Sequence, residues 1–75
     1  MATERILVLE DESTLRFVVK SAITSLGHDV VTAGTIAEAL ALVADQQFSG
    51  ALLDLVLPDG SGIQVLEAIK SSSPT

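Results

Sequence analysis

Asp54 interrupts an otherwise apolar run, Ala51-Leu52-Leu53-Asp54-Leu55-Val56-Leu57. An ionised carboxylate inside an apolar interior costs several kcal/mol unless something pairs with it. Asp54 therefore belongs at the end of a strand, beside water or a cation. A second acidic group, Glu10-Asp11-Glu12, closes another apolar run, Ile6-Leu7-Val8-Leu9. If the two runs are neighbouring strands, Glu10, Asp11 and Asp54 converge at one sheet edge, where an open parallel α/β sheet binds its ligands. Two carboxylates about 4 Å apart repel by roughly 4 kcal/mol at an effective dielectric near 20. An all-oxygen cluster of this kind calls for a hard divalent cation, Mg2+ or Mn2+.

The elements that must hold those residues alternate along the chain. Ile6–Leu9 has the continuous apolar character of a strand buried on both faces. Leu15, Val18, Val19, Ala22, Ile23 and Leu26 recur at helical spacing, and Gly27 stops that helix. Asp11 or Ser13 can cap it, while Glu12 reads as solvated. Val30–Ala33 is a second strand, and Thr35 with Glu38 forms a capping box for a second helix. Ala51 to Leu55 or Val56 is the third strand, ended by Pro58. Ser61 and Gln64 suggest another box, opening a helix with Ile63, Leu66 and Ile69 on one side. Ser71-Ser72-Ser73-Pro74-Thr75 reads as a frayed tail over 71–75. The order βαβαβα implies a parallel sheet with right-handed crossovers and helices on both faces.

Composition removes several classes of function. Ten acidic residues against four basic ones give a net charge of −6, which leaves little to neutralise a row of phosphates, so no nucleic acid is expected as a partner. There is no cysteine, which excludes disulfides and thiolate metal sites. The apolar stretch near the N-terminus is too short for a signal peptide or a membrane span, and a cytoplasmic location is expected. Gly60-Ser61-Gly62 with Val65 only partly imitates a dinucleotide-binding loop, since the third glycine is missing. His28 reads as an ordinary loop residue. With 48% of 75 residues hydrophobic and a mean hydropathy of +0.54, the chain carries more apolar surface than a small fold covers, so self-association is expected.

Leu7-Val8-Leu9-Glu10-Asp11-Glu12-Ser13 resembles the acidic-pair segment of response-regulator receiver domains of two-component signalling. Leu52 to Gly62, with proline four and glycine eight residues after Asp54, resembles the segment around their phosphoacceptor aspartate. The two segments lie 43 residues apart, counting Asp11 to Asp54, in a βαβαβ frame. The resemblance implies a three-layer, flavodoxin-like half with strand order 2-1-3. It implies Asp54 as the acceptor of a phosphoryl group from a histidine kinase or a small phosphodonor. It also implies Mg2+ or Mn2+ held by Glu10, Asp11, Asp54 and the backbone carbonyl of Val56. The protein is then a signalling module and not an enzyme. Glutamate at the first acidic position is a mild departure from the family pattern.

The family's fold has five βα units, and residues 1–75 match its first three. The chain is thus expected to be the N-terminal part of a receiver domain, lacking strands four and five and helices four and five. A hydroxyl after the fourth strand and a lysine after the fifth would contact the phosphoryl group; Lys70, in the third helix, does not match that lysine. Signalling through that pair is not expected here. The alternative is a non-signalling half-receiver whose main property is self-association. In either case the third strand forms a sheet edge, and a homodimer through antiparallel pairing of two third strands is expected.

Overall fold

A computed structural model describes residues 3–72. Strand β1 (Arg5–Leu9) forms the centre of a three-stranded parallel sheet. On one side lies β2 (Asp29–Ala33), in register Arg5 with Asp29 through Leu9 with Ala33. On the other lies β3 (Gly50–Leu53), in register Ile6 with Gly50 through Leu9 with Leu53. The order β2-β1-β3 is the 2-1-3 order expected. Each crossover carries a helix, α1 (Ser13–Ser25) between β1 and β2, and α2 (Ile36–Asp45) between β2 and β3.

The helix ends are set by local chemistry. Glu12 caps α1, its carboxylate accepting from Thr14 N at 3.2 Å and Leu15 N at 2.7 Å. The residue read as solvated therefore does the capping ahead of Asp11 or Ser13, because its longer side chain folds back over the first turn. Gly27, at φ +93°, ends the helix, and its N–H donates to Thr24 O at 2.9 Å. At α2, Thr35 Oγ1 accepts from Glu38 N at 3.1 Å, as a capping box requires. The return bond is shifted by one residue, Glu38 Oε1 accepting from Gly34 N at 2.9 Å.

The third strand is shorter than its apolar sequence suggests. It ends at Leu53, and the chain then bends so that Val56 N donates to Asp54 Oδ1 at 3.2 Å. Two short strands, β4 (Val56–Leu57) and β5 (Gly60–Ser61), pair antiparallel around Pro58-Asp59. They are a hairpin apart from the main sheet and not the fourth and fifth parallel strands of the receiver pattern. Helix α3 (Ile63–Ser72) follows. Ser61 Oγ accepts from Ile63 N at 3.2 Å, so Ser61 serves the first N–H of the helix in place of a box with Gln64. The helix extends through Ser72, two residues into the stretch read as tail; residues 73–75 lie outside the described residues.

The core lies on one face of the sheet. Leu7 and Leu9 of β1 join Ala33, Ile36, Ala39, Val43, Leu57 and Val65 in one buried cluster beneath α2 and α3. Leu53, Phe48 and Ile69 close its margins. Val8, pointing the other way by strand alternation, is also buried, but α1 above it has no buried residue of its own. Among the described residues no polar or charged side chain is buried.

Candidate metal centre

The register between β1 and β3 places the acidic residues. Leu9 pairs with Leu53, so Glu10 and Asp54 leave adjacent parallel strands side by side. Backbone bonds fix both departures: Asp54 N donates to Leu9 O and Glu10 N to Ala33 O, each at 3.0 Å. One carboxylate oxygen from each of Glu10, Asp11 and Asp54 lies within 4.8 Å of the others. Glu10 and Asp54 are half-buried and Asp11 is exposed, so the cluster opens to water on one side. These are the three carboxylates that the sequence singled out. Val56 lies two residues beyond Asp54, its N–H on Asp54 Oδ1.

Several neighbours hold this edge in shape. Glu10 Oε2 accepts from Glu12 N at 3.1 Å, which turns its carboxylate across the start of α1. Half-buried Arg16 reaches back from the first turns of α1, donating from Nη1 to the carbonyl of Glu10 at 2.8 Å and that of Asp11 at 3.5 Å. It therefore straps the acidic loop by its backbone carbonyls. The N–H groups of Leu15 and Thr14, with Arg16 contributing less, hold the Glu12 carboxyl below the usual glutamate range. Gly62 is buried against the turn after Asp54, where a Cβ would run into the Asp54 carbonyl oxygen. Its N–H donates to Leu55 O at 3.3 Å, and its carbonyl accepts from Val65 N and Leu66 N at 3.1 Å, starting α3. Neither the Arg16 strap nor this backbone contact emerged from the sequence reading. The spacing of Gly62 after Asp54 was the only signal of the second.

A close-set trio of carboxylates at the carboxyl ends of neighbouring parallel strands suits a small divalent cation with open coordination positions. That geometry meets the comparisons with known proteins. A profile described as the response regulator receiver domain matches residues 6–75. The chain belongs to the response regulator receiver domain family. It is a receiver domain of two-component signalling, with the family's parallel α/β fold.

Over 74 residues it is 35% identical to the DNA-binding transcriptional regulator NtrC of Azospirillum brasilense, covering 99% of this chain and 15% of that protein. Among solved structures, the response regulator TrrA of Thermotoga maritima, in complex with Mg2+-BeF, superposes with a TM-score of 0.85 at 30% identity. That match covers 95% of this chain and 62% of TrrA. The non-phosphorylated HemR receiver domain of Leptospira biflexa matches with a TM-score of 0.85 at 35% identity, over 95% of this chain and 57% of that one. The chain thus spans less than two thirds of the relatives it matches. His28 lies just before β2, its Nδ1 accepting from Glu4 N at 3.2 Å. Among the described residues no helix is long and apolar enough to cross a membrane.

Proposed function

We propose that this receiver domain accepts a phosphoryl group on Asp54, with Mg2+ (or Mn2+) held by Glu10, Asp11, Asp54 and the backbone carbonyl of Val56. The observation that carries the reading is the convergence of three carboxylate oxygens within 4.8 Å beyond β1 and β3. The Mg2+-BeF complex of TrrA supports it by likeness. A carboxylate oxygen of Asp54 attacks the phosphorus of a phosphohistidine or of a small phosphodonor such as acetyl phosphate. A new O–P bond forms, giving an acyl phosphate, and the bond to the leaving imidazole or acetate breaks. The cation supplies neutralisation of the transferring phosphoryl oxygens. The Glu12 N–H and the Arg16 strap keep Glu10 and Asp11 in place beside Asp54.

The partner in this reading is a histidine kinase, and a cytoplasmic setting goes with it. The charge argument against nucleic acid concerns these 75 residues alone; NtrC, named as DNA-binding, is far longer than the matched segment. A homodimer of this polypeptide also belongs to the proposal. Strand β3 is an outer strand of the three-stranded sheet, and exposed Leu52 and Leu55 stand on or next to it. Antiparallel pairing of two β3 edges would cover them.

Incubation with acetyl phosphate and Mg2+, followed by intact mass measurement, tests the chemistry. One phosphoryl adduct is expected, lost in Asp54→Asn and on removal of the metal. An adduct that persists in Asp54→Asn would place the chemistry elsewhere.

A further inference from the structure

Asp59 is absent from the acidic cluster, yet the structure ties it to the same segment. It stands at the tip of the β4–β5 hairpin, and its two carboxylate oxygens accept from Ile36 N at 3.1 and 3.2 Å and from Ala37 N at 3.4 Å. These are the first N–H groups of α2, which have no acceptor within their own helix. Thr35 already caps α2 from its own side through Glu38 N. Asp59 therefore adds a second cap from a segment 22 to 23 residues away.

Packing reinforces the tie. A Cβ on Gly60, at φ +147°, would come to 3.0 Å from both Ile36 Cδ1 and Gln64 Oε1, so the hairpin tip sits between the starts of α2 and α3. Ile36, Ala39 and Val43 in turn fasten α2 to the core. Only Pro58 and Asp59 separate Leu57 from Gly60, and Pro58 fixes its own φ. The hairpin is thus a short stiff lever with its tip clamped to α2. At its other end Val56 N bonds to Asp54 Oδ1.

We propose that Asp59 is a positioning residue for the metal and phosphoryl site, clamping the hairpin tip to the N-terminus of α2 and so fixing Val56 relative to Asp54. The inference rests on the function proposed above, in which the Val56 carbonyl and the Asp54 carboxylate share one cation. Asparagine at position 59 keeps an oxygen for Ile36 N and alanine does not, so hydrogen bonding can be separated from charge.

The test is a Mn2+ titration of the full chain, read from paramagnetic broadening of the amides of residues 54–57, with a urea midpoint for each variant. Asp59→Ala is expected to bind about tenfold more weakly than wild type, the scale of losing a group that orients a ligand. Asp59→Asn is expected to stay close to wild type. Gly60→Ala, which strains the hairpin tip at φ +147° and crowds Ile36 Cδ1 and Gln64 Oε1 but keeps the Asp59 carboxylate, is expected to weaken binding in the same direction. It provides the measurement if Asp59→Ala does not fold. Val43→Ala, which loosens α2 without touching the clamp, is expected to lower the urea midpoint and leave affinity unchanged. Wild-type affinity in Asp59→Ala or Gly60→Ala overturns the proposal, as does an equal loss in Val43→Ala. So does an Asp59→Asn variant as weak as Asp59→Ala, since the cation would then be sensing charge and not the clamp. A wild type that binds no Mn2+, or binds it equally with Asp54→Asn, overturns the function itself.

Discussion

The same three strands present two unlike faces. Toward α2 and α3 they offer Leu7, Leu9, Ala33 and Leu53, and the helices answer with Ile36, Ala39, Val43 and Val65. Toward α1 they offer Val8, Thr32 and Leu52, and the helix answers with no buried residue at all. Phe17 of α1 is 69% exposed and Leu52 is 53% exposed, while an open cleft of about 230 Å³ runs between Thr32 and Ser13, Arg16, Phe17 and Lys20 of α1. Residues adjacent in sequence, such as Leu52 and Leu53, thus have opposite fates because strand alternation sends them to opposite faces. Stability is concentrated on the α2–α3 face, whereas the acidic loop and its Arg16 strap lead into α1, the loosely held helix.

The sharpest way to break that contrast is to truncate a side chain on each face. Leu7→Ala should cost roughly 2–5 kcal/mol, a large share of the stability of a small domain. Phe17→Ala should stay within about 0.5 kcal/mol, as surface changes do. Urea unfolding followed by circular dichroism compares them, and equal costs would mean that α1 carries as much of the core as α2. Gly62→Ala should come next, at roughly 1–3 kcal/mol for forcing backbone apart where no space exists. Because the contact is with Asp54, its metal affinity should fall more than that of Phe17→Ala in the same titration.

A fourth variant probes the open side directly. Leu52→Lys puts a charge on the exposed face of β3, and light scattering should show weaker self-association with the unfolding midpoint little changed. A dimer indifferent to that charge would remove β3 from the interface. The smallest effect expected is that of Glu12→Gln at the start of α1. The folded carboxyl of Glu12 titrates below its unfolded value, so its contribution is present above about pH 4.3 and fades as pH falls through the folded value. Wild type should therefore lose stability on acidification more steeply than Glu12→Gln in that window. Parallel curves would show that the cap does not depend on its charge.

The sequence made the frame and the acidic trio legible for a physical reason. Buried parallel strands are continuous apolar runs, so Ile6–Leu9 and Ala51–Leu53 declare themselves, and acidic residues at their carboxyl ends must meet at an edge. Interactions between distant segments leave no such trace. Nothing local to Pro58-Asp59-Gly60 points to Ile36, and the end of β3 depended on Asp54 bonding to the N–H two residues on. Glu12 went unrecognised as a cap because glutamate is an uncommon choice there and Asp11 and Ser13 flank it.

The place of β1 at the centre of the sheet has a consequence for the birth of the chain. It is made before either of its partners, which begin 24 residues later at Asp29 and 44 residues later at Gly50. At ribosomal rates of roughly 5–20 residues per second, Gly50 is made roughly 2–9 s after Ile6. Until then Leu7, Val8 and Leu9 lack the β3 side of the sheet that buries them. Codons that slow translation between Ala33 and Gly50 would lengthen that interval, so the yield of folded protein should respond to them even where the encoded residues are unchanged.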